Sequence, residues 1–321
     1  MAAIYHFPVL VGALLLLLAL IHPLPVQSRG LKATVSRQSF AFLQHLQGCH
    51  KGQNVKGLHQ LKRYLEHFGY LHYKTNLTHA KDDDFDDYVE SAVKTYQSHY
   101  HLNVTGNLDH ETVKQMMLPR CGNPDIVDGS SSLAGGKRHH HHNHGGHSNH
   151  FHQVSHYSFF DGNPRWPSSK THLTYTFRSS APVVQLQLLR SVSVRAFQRW
   201  TDVSRFTFEE VPQGAPADIE IGFHRRDHGD GHAFDGILGT LAHAFAPTVG
   251  MLHYDADENW STNPTNQQVD LESVAVHEIG HILGLGHSLV TDAIMFAQFK
   301  YGATKRELHA DDIQGIRALY T

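Results

Sequence analysis

His277-Glu278-Ile279-Gly280-His281-Ile282-Leu283-Gly284-Leu285-Gly286-His287 decides how this chain is read. Its first two histidines are four residues apart, so on a helix both imidazoles face one side and can reach one ion. Glu278, beside the first, can reach a water on that ion. A straight helix cannot bring a third ligand to the same point. Gly284 tolerates positive φ without steric penalty, so the chain can turn there and return His287 to the metal. Three neutral imidazoles leave a fourth position open, as a catalytic zinc site requires. Zinc there would lower the pKa of a water to about 7 and polarise a carbonyl, while Glu278 takes the proton as general base and passes it to a leaving amine. H-E-x-x-H alone arises by chance; the longer form with a glycine and a third histidine is far more specific.

The rest of the chain frames this motif. It has 321 residues, 18% charged, with a formal net charge of −3, which offers no basic field for nucleic acid. Histidine is in excess, with 30 residues against 27 Lys and Arg together. An apolar run from Pro8 to Ile21, followed by Val26-Gln27-Ser28 with small residues at positions −3 and −1 for cleavage after Ser28, reads as a secretory leader over 1–28. Sequons at Asn76, Asn103 and Asn259 fit that route. Residues 29–125 read as a small all-α bundle. Val55, Leu58, Leu61, Leu65 and Phe68 recur at helical spacing, and so do Phe85, Val89, Val93, Tyr96 and Tyr100. A third short helix follows an N-cap at Asp109. Residues 126–155 lose core-forming composition: a Gly/Ser stretch, the dibasic Lys137-Arg138 and most of a histidine tract from His139 to His156 read as an exposed linker open to cleavage. Residues 156–321 alternate strands and helices. Strands are expected at 172–177, 206–211, 218–223, 241–245 and 251–254, and helices at 184–200, 269–283 and 309–319, with Leu186, Leu189, Val192, Ala196 and Trp200 inward.

A second cluster lies between residues 228 and 258. His228, Asp230, His243 and His253 offer three imidazoles and a carboxylate, the closed set of a structural zinc site. Interleaved are Asp235-Gly236 and Asp255-x-x-Glu258, carboxylates of the kind calcium prefers.

After the zinc motif comes Ala293-Ile294-Met295-Phe296, and with it the chain resembles the metzincin clan, whose metal motif is followed by a methionine turn. Met295 would form the floor beneath the ligands. Ser288 narrows the resemblance to the matrix metalloproteinases, or matrixins, as do HGD, FDG, LAHAF and HYDADENW in family order. The resemblance implies a metzincin catalytic domain of α+β/α-β class, a twisted mixed sheet with three helices, acting as a zinc-dependent endopeptidase. It assigns His228, Asp230, His243 and His253 to structural zinc. It assigns Asp235, Asp255 and Glu258 to calcium, with carbonyls near Gly236, Leu238 and Thr240. Asp218 matches one ligand of a further calcium site. Leu241 and Ala242 would pair with an extended peptide substrate by strand addition. Pro119-Arg120-Cys121-Gly122-Asn123-Pro124-Asp125 resembles the cysteine switch of matrixin propeptides: the Cys121 thiolate would occupy the open zinc position, with Arg120 and Asp125 paired to hold the loop. A disulfide to Cys49, or an inert buried thiol, is the alternative for Cys121.

The GCHKG segment and the absence of a hemopexin-like repeat look most like plant matrixins. No hydrophobic tail follows Leu319, so the expectation is a soluble, monomeric enzyme of the extracellular space or cell-wall matrix, without a membrane anchor. Its partners would be proteins or peptides bound as a strand, and protease inhibitors. The family also implies that a new N-terminal ammonium pairs with Asp311 or Asp312. Phe296-Ala297-Gln298-Phe299 departs from the family's usual Pro and Tyr in the wall of the main specificity pocket. The histidine tract is a solvated linker or a competitor for metal. A secreted metal- or wall-binding protein is the alternative function, and Glu278 speaks against it, since binding alone needs no general base.

Overall fold

Asp83, Asp86 and Asp109 each accept backbone N–H groups at the start of a helix, and these three capped helices build the N-terminal bundle. The computed structural model describes residues 39–73, 79, 81–127, 130–131 and 156–321, which belong to one compact unit, Arg37–Thr321. The expected leader, Asn76, most of the expected linker and the histidine tract up to residue 155 lie outside the described residues. A 3-10 turn at Ala41–Leu46 precedes α1 (Leu58–His67), α2 (Asp87–His99) and α3 (His110–Met116). Asp83 Oδ1 accepts from Gly57 N at 3.0 Å and His59 N at 2.9 Å, Asp86 from Val89 N at 2.8 Å, and Asp109 from Thr112 N at 2.9 Å. The aspartate-rich run 82–87 thus contributes helix starts, where a carboxylate meets unsatisfied N–H groups and the positive end of the dipole. Leu58, Leu61, Leu65, Val89, Val93, Tyr96, Val113 and Met116 close one apolar core. Val55, expected on the first helix, lies ahead of it, because the chain enters α1 through Gly57 at φ 105°.

The chain then runs through β1 (Arg120–Cys121), β2 (Ile126–Val127) and β3 (Ser130–Ser131) into the second layer. There follow β4 (His172–Phe177), α4 (Leu186–Thr201), β5 (Thr207–Glu210), β6 (Ile219–His224), β7 (Thr240–Ala244) and β8 (Met251–Asp255). Then come β9 (Trp260–Ser261), β10 (Val269–Asp270), α5 (Leu271–Ile282) and α6 (Ala310–Tyr320). The main sheet has the order β1-β7-β8-β6-β4-β5. Only β7–β8 is antiparallel, so the sheet is mixed, as expected, and helices α4, α5 and α6 complete the layer.

Two expectations need correction. The helix expected from residue 269 starts at Leu271, because Val269 and Asp270 pair with β9 and the Asp270 carboxylate caps the helix through Ser273 N at 2.9 Å. Leu186 is 41% exposed. It lies on the inward stripe of α4 but one turn before Leu189, the first residue of that stripe to be covered.

The core beneath the sheet centres on the crossing of α4 and α5. Trp200 is fully buried there and donates its indole N–H to Val276 O at 2.8 Å. This bond fixes α5, the helix that carries the metal motif. Trp200→Ala is expected to cost about 3–5 kcal/mol in denaturant unfolding, from the cavity and the lost indole hydrogen bond; a loss under about 1 kcal/mol would show that this crossing does not anchor α5.

Candidate active site and metal centres

Every residue of α5 is buried, so His277, Glu278 and His281 lie in the interior on a rigid support. Each imidazole has its Nδ1 engaged. His277 Nδ1 donates to Ile294 O at 2.7 Å, and His281 Nδ1 to Leu285 O at 2.7 Å. His287 Nδ1 meets Asp125 Oδ1 at 2.7 Å. These acceptors fix the tautomer and leave the three Nε2 atoms to converge; those of His277 and His281 are 3.1 Å apart. Burial holds the imidazoles of His277 and His281 well below the usual histidine range, so they stay neutral, as a metal ligand must.

Cys121 Sγ lies 3.4 Å from His281 Nε2. One ligand atom from each of Cys121, His277, His281 and His287 falls within 4.8 Å of all the others. Among the described residues, His287 Nε2 and both Glu278 carboxylate oxygens are buried without a conventional hydrogen-bond partner; the Cys121 thiol faces Glu278. Burial pushes Glu278 up to about 8 and the Cys121 thiol well above its ordinary value. Orphaned buried atoms are rare and costly, and a thiol and three imidazoles match the donor preference of zinc. The residues present therefore fit that ion.

Three backbone features bring the ligands together. Gly284 sits at φ 99°, and a Cβ there would strike Pro164 O, so the turn that delivers His287 requires glycine. Gly280, which the sequence reading passed over, faces Met295, and a Cβ would strike its sulfur. Met295 is buried beneath the site, and its turn is held by Asp312, which accepts from Ile294 N at 2.9 Å and Met295 N at 3.1 Å. Asp312 is thus engaged inside the fold. Asp311 instead accepts from Ser288 Oγ at 2.7 Å and from His156 N at 3.0 Å, where the described catalytic segment begins.

The second cluster also assembles. β7 and β8 place His243 directly opposite His253. Asp230 Oδ2 lies 2.8 Å from His228 Nε2, 2.7 Å from His243 Nε2 and 2.8 Å from His253 Nδ1. Burial takes His243 down to about 3, so it too is neutral. Nearby, Asp235 Oδ1 accepts from Thr240 N at 3.0 Å, Asp255 Oδ2 from Gly236 N at 3.2 Å, and Glu258 Oε1 from Leu238 N at 2.7 Å. Burial pushes these carboxyls up to about 7, about 6 and about 8 respectively, and the charge of Asp255 adds to the rise at Asp235 and Glu258. Among the described residues, Glu258 Oε2 has no hydrogen-bond partner. An acidic trio, with Asp255 and Glu258 buried and Asp235 half-buried, and with an orphaned oxygen, fits a divalent cation with oxygen preference. Asp218 is not part of it: Lys170 pairs with it at 2.7 Å and Thr174 N donates to it at 2.8 Å.

The Pro119–Asp125 segment lies as a strand in the cleft. β1 runs parallel to β7 with Arg120 opposite Thr240 and Cys121 opposite Ala242, so Leu241 and Ala242 are covered. Gly122 N donates to Ala242 O at 2.8 Å, and on the other side Cys121 N donates to Ala297 O at 2.9 Å. Asn123 extends the pairing, donating Nδ2 to Ala244 O at 2.8 Å and accepting from Ala244 N at 3.1 Å. Arg120 and Asp125 form the expected ion pair at 2.7 Å, fully buried. Cys49 and Cys121 are both free buried thiols, which sets aside the disulfide. Phe296 and Gln298, beside a cavity of about 300 Å³ between Val269, Phe299 and Lys305, also touch the bundle. Gln298 contacts Tyr96 and Gln115, and Phe296 meets the Tyr100 ring edge-on at 5.9 Å. No local pattern points to these contacts, because they join segments some 180 residues or more apart.

Comparison with known proteins agrees with this geometry. Residues 165–321 match the matrixin family, and residues 54–116 match the peptidoglycan binding domain. The chain is 47% identical over 282 residues to Metalloendoproteinase 2-MMP of Arabidopsis thaliana, covering 85% of this chain and 73% of that one. It is 45% identical over 278 residues to Metalloendoproteinase 1 of Glycine max, covering 84% of each. Against Interstitial collagenase B of Mus musculus it is 35% identical over 268 residues, 83% of this chain and 50% of that one. Fold, triad and likenesses define a zinc metalloendopeptidase. The chain belongs to the matrixin family, whose members use catalytic and structural zinc together with calcium.

Gly284→Ala should cost on the order of 1–3 kcal/mol of stability and weaken zinc retention, because the turn that returns His287 is strained by any Cβ. Thermal unfolding and zinc content after dialysis check this; a variant with wild-type values for both would refute the role given to the turn.

Proposed function

We propose that this protein is a secreted protease zymogen in which Cys121 blocks the catalytic zinc until the propeptide is removed. The observation that carries the reading is the buried thiol of Cys121 among the three imidazoles, on a strand lying along β7. On this reading residues 1–28 are the leader, 29–125 the propeptide, 126–155 the linker where processing occurs and 156–321 the catalytic domain. His277, His281 and His287 hold the catalytic ion; His228, Asp230, His243 and His253 hold a structural zinc. Asp235, Asp255 and Glu258 hold calcium, with the carbonyls of Gly236, Leu238 and Thr240. Secretion agrees with the sequons Asn103 and Asn259, and no helix among the described residues is long and apolar enough to cross a membrane.

Once bound, zinc supplies Lewis-acid polarisation of the scissile carbonyl and makes water reactive at neutral pH. The chain's own residues do the rest. Once the latch leaves, the groove between β7 and Ala297–Phe299 is free for an extended stretch of protein substrate. The edge of β7 at Leu241 and Ala242 binds its backbone, which lets an internal segment be accepted. Glu278, buried and raised in pKa, accepts a proton from the attacking water and returns it to the leaving amine. Met295 and Gly280 keep the floor of the site closed.

Processed Glu278→Ala should cleave a protein substrate roughly 10²–10⁴-fold more slowly than processed wild type while keeping its metal; equal rates would end the general-base assignment. Full-length Cys121→Ser should process itself during expression, whereas wild type stays intact. A serine variant as quiet as wild type would mean that the thiol is not the inhibitory group.

A further inference from the structure

His287 differs from the other two imidazoles in what holds its Nδ1. His277 and His281 donate to carbonyls of the catalytic domain itself, Ile294 O and Leu285 O. His287 donates to a carboxylate, and that carboxylate comes from the propeptide: Asp125 Oδ1, at 2.7 Å, with the two side chains 2% and 0% exposed. Asp125 is itself firmly placed. Arg120 pairs with Oδ1 at 2.7 Å, and the hydroxyls of Tyr70 and Tyr100 donate to Oδ2 at 2.6 and 3.0 Å. The Arg120 guanidinium in turn lies over the Phe68 ring, 3.5 Å from its centre. The bundle core, the latch and the metal triad thus meet at one carboxylate.

A carboxylate behind a metal-bound imidazole fixes the ring's orientation and raises its basicity toward the ion. We infer that Asp125 is a positioning residue for the catalytic metal: the propeptide supplies a thiolate to the ion and, through His287, an outer-sphere carboxylate as well. The inference rests on the reading of the triad and Cys121 as a zinc site. Its consequence is that processing removes two supports at once. The zymogen holds its zinc more tightly than the mature enzyme by more than the thiolate alone accounts for. By reciprocity of linked equilibria, zinc in turn holds the propeptide. Asp125 then has a task besides pairing with Arg120, since the same oxygen serves both.

The test uses the full-length chain carrying Glu278→Ala, so that no self-processing intervenes, and follows zinc release to a chromogenic chelator. The phase accelerated by Cys121→Ser reports the catalytic ion. Asp125→Asn should speed that phase by about 10–100-fold. Tyr100→Phe, which removes a bond to the same carboxylate and to Arg120 but leaves Oδ1 against His287, should change it less than about 3-fold, below the effect of losing an outer-sphere partner. Equal release from both variants would overturn the inference, because Asp125 would then act only through the latch core. Should Asp125→Asn fail to fold, the unmutated side chain gives the answer by nuclear magnetic resonance. In zinc-loaded zymogen the His287 Nδ1 proton should resonate as one bonded to a carboxylate, and that signal should vanish on processing; a resonance unchanged by processing overturns the proposal. If wild type shows no thiol-sensitive phase, the zinc reading of the site fails instead, a separate result.

Discussion

Four ligand atoms are buried within 4.8 Å of one another, on three imidazoles and a thiol, beside a carboxylate with no conventional partner. Without a cation this is an unfavourable cluster: burial drives the histidines neutral, the thiol protonated and Glu278 toward its acid form. A divalent ion reverses that logic, since a coordinating thiol deprotonates outright and a nearby carboxylate is stabilised in its charged form. Much of the architecture serves to hold this cluster in place. Trp200 ties α5 to α4, Gly284 turns the chain back, Asp312 holds the methionine turn, and the glycine at 280 leaves room for Met295.

On the proposed reading, one sheet edge serves two occupants in turn. A latch that reached the metal without lying in the groove would have only the thiol to hold it. Here β1 pairs with β7 on one side and with the Ala297–Phe299 segment on the other, and Asn123 continues the ladder to Ala244. On the proposed reading, the segment occupies the backbone positions that a substrate strand would take. The bundle behind it is not a passive support, because Tyr70, Tyr100, Tyr96 and Gln115 reach the latch or the pocket wall. Phe296 and Gln298, in the segment expected to wall the specificity pocket, therefore face the propeptide as well.

The sequence carried the local part of this account. Histidines four apart, a glycine at a turn and carboxylates at helix starts have fixed geometric meaning over a few residues, so α5, the cap at Asp109 and the triad could be read directly. The motif from Pro119 to Asp125 was legible through resemblance, and its ion pair formed as expected. What escaped reading was non-local. The bond from Asp125 to His287, the docking of Gln298 on α2 and α3, and the role of Gly280 each depend on partners that only the fold brings together. Leu186 shows the converse: periodicity finds a stripe, but not where along the helix the covering neighbour begins.

X-ray absorption at the zinc edge, on the full-length chain and on the processed enzyme, tests the central claim most directly. With the structural site as a constant nitrogen and oxygen background, the full-length protein should show a zinc–sulfur distance of about 2.3 Å. That shell should be absent after processing, leaving only nitrogen and oxygen neighbours. A full-length protein with metal bound and no sulfur at that distance would contradict the account, because Cys121 would not then be the ligand that closes the site.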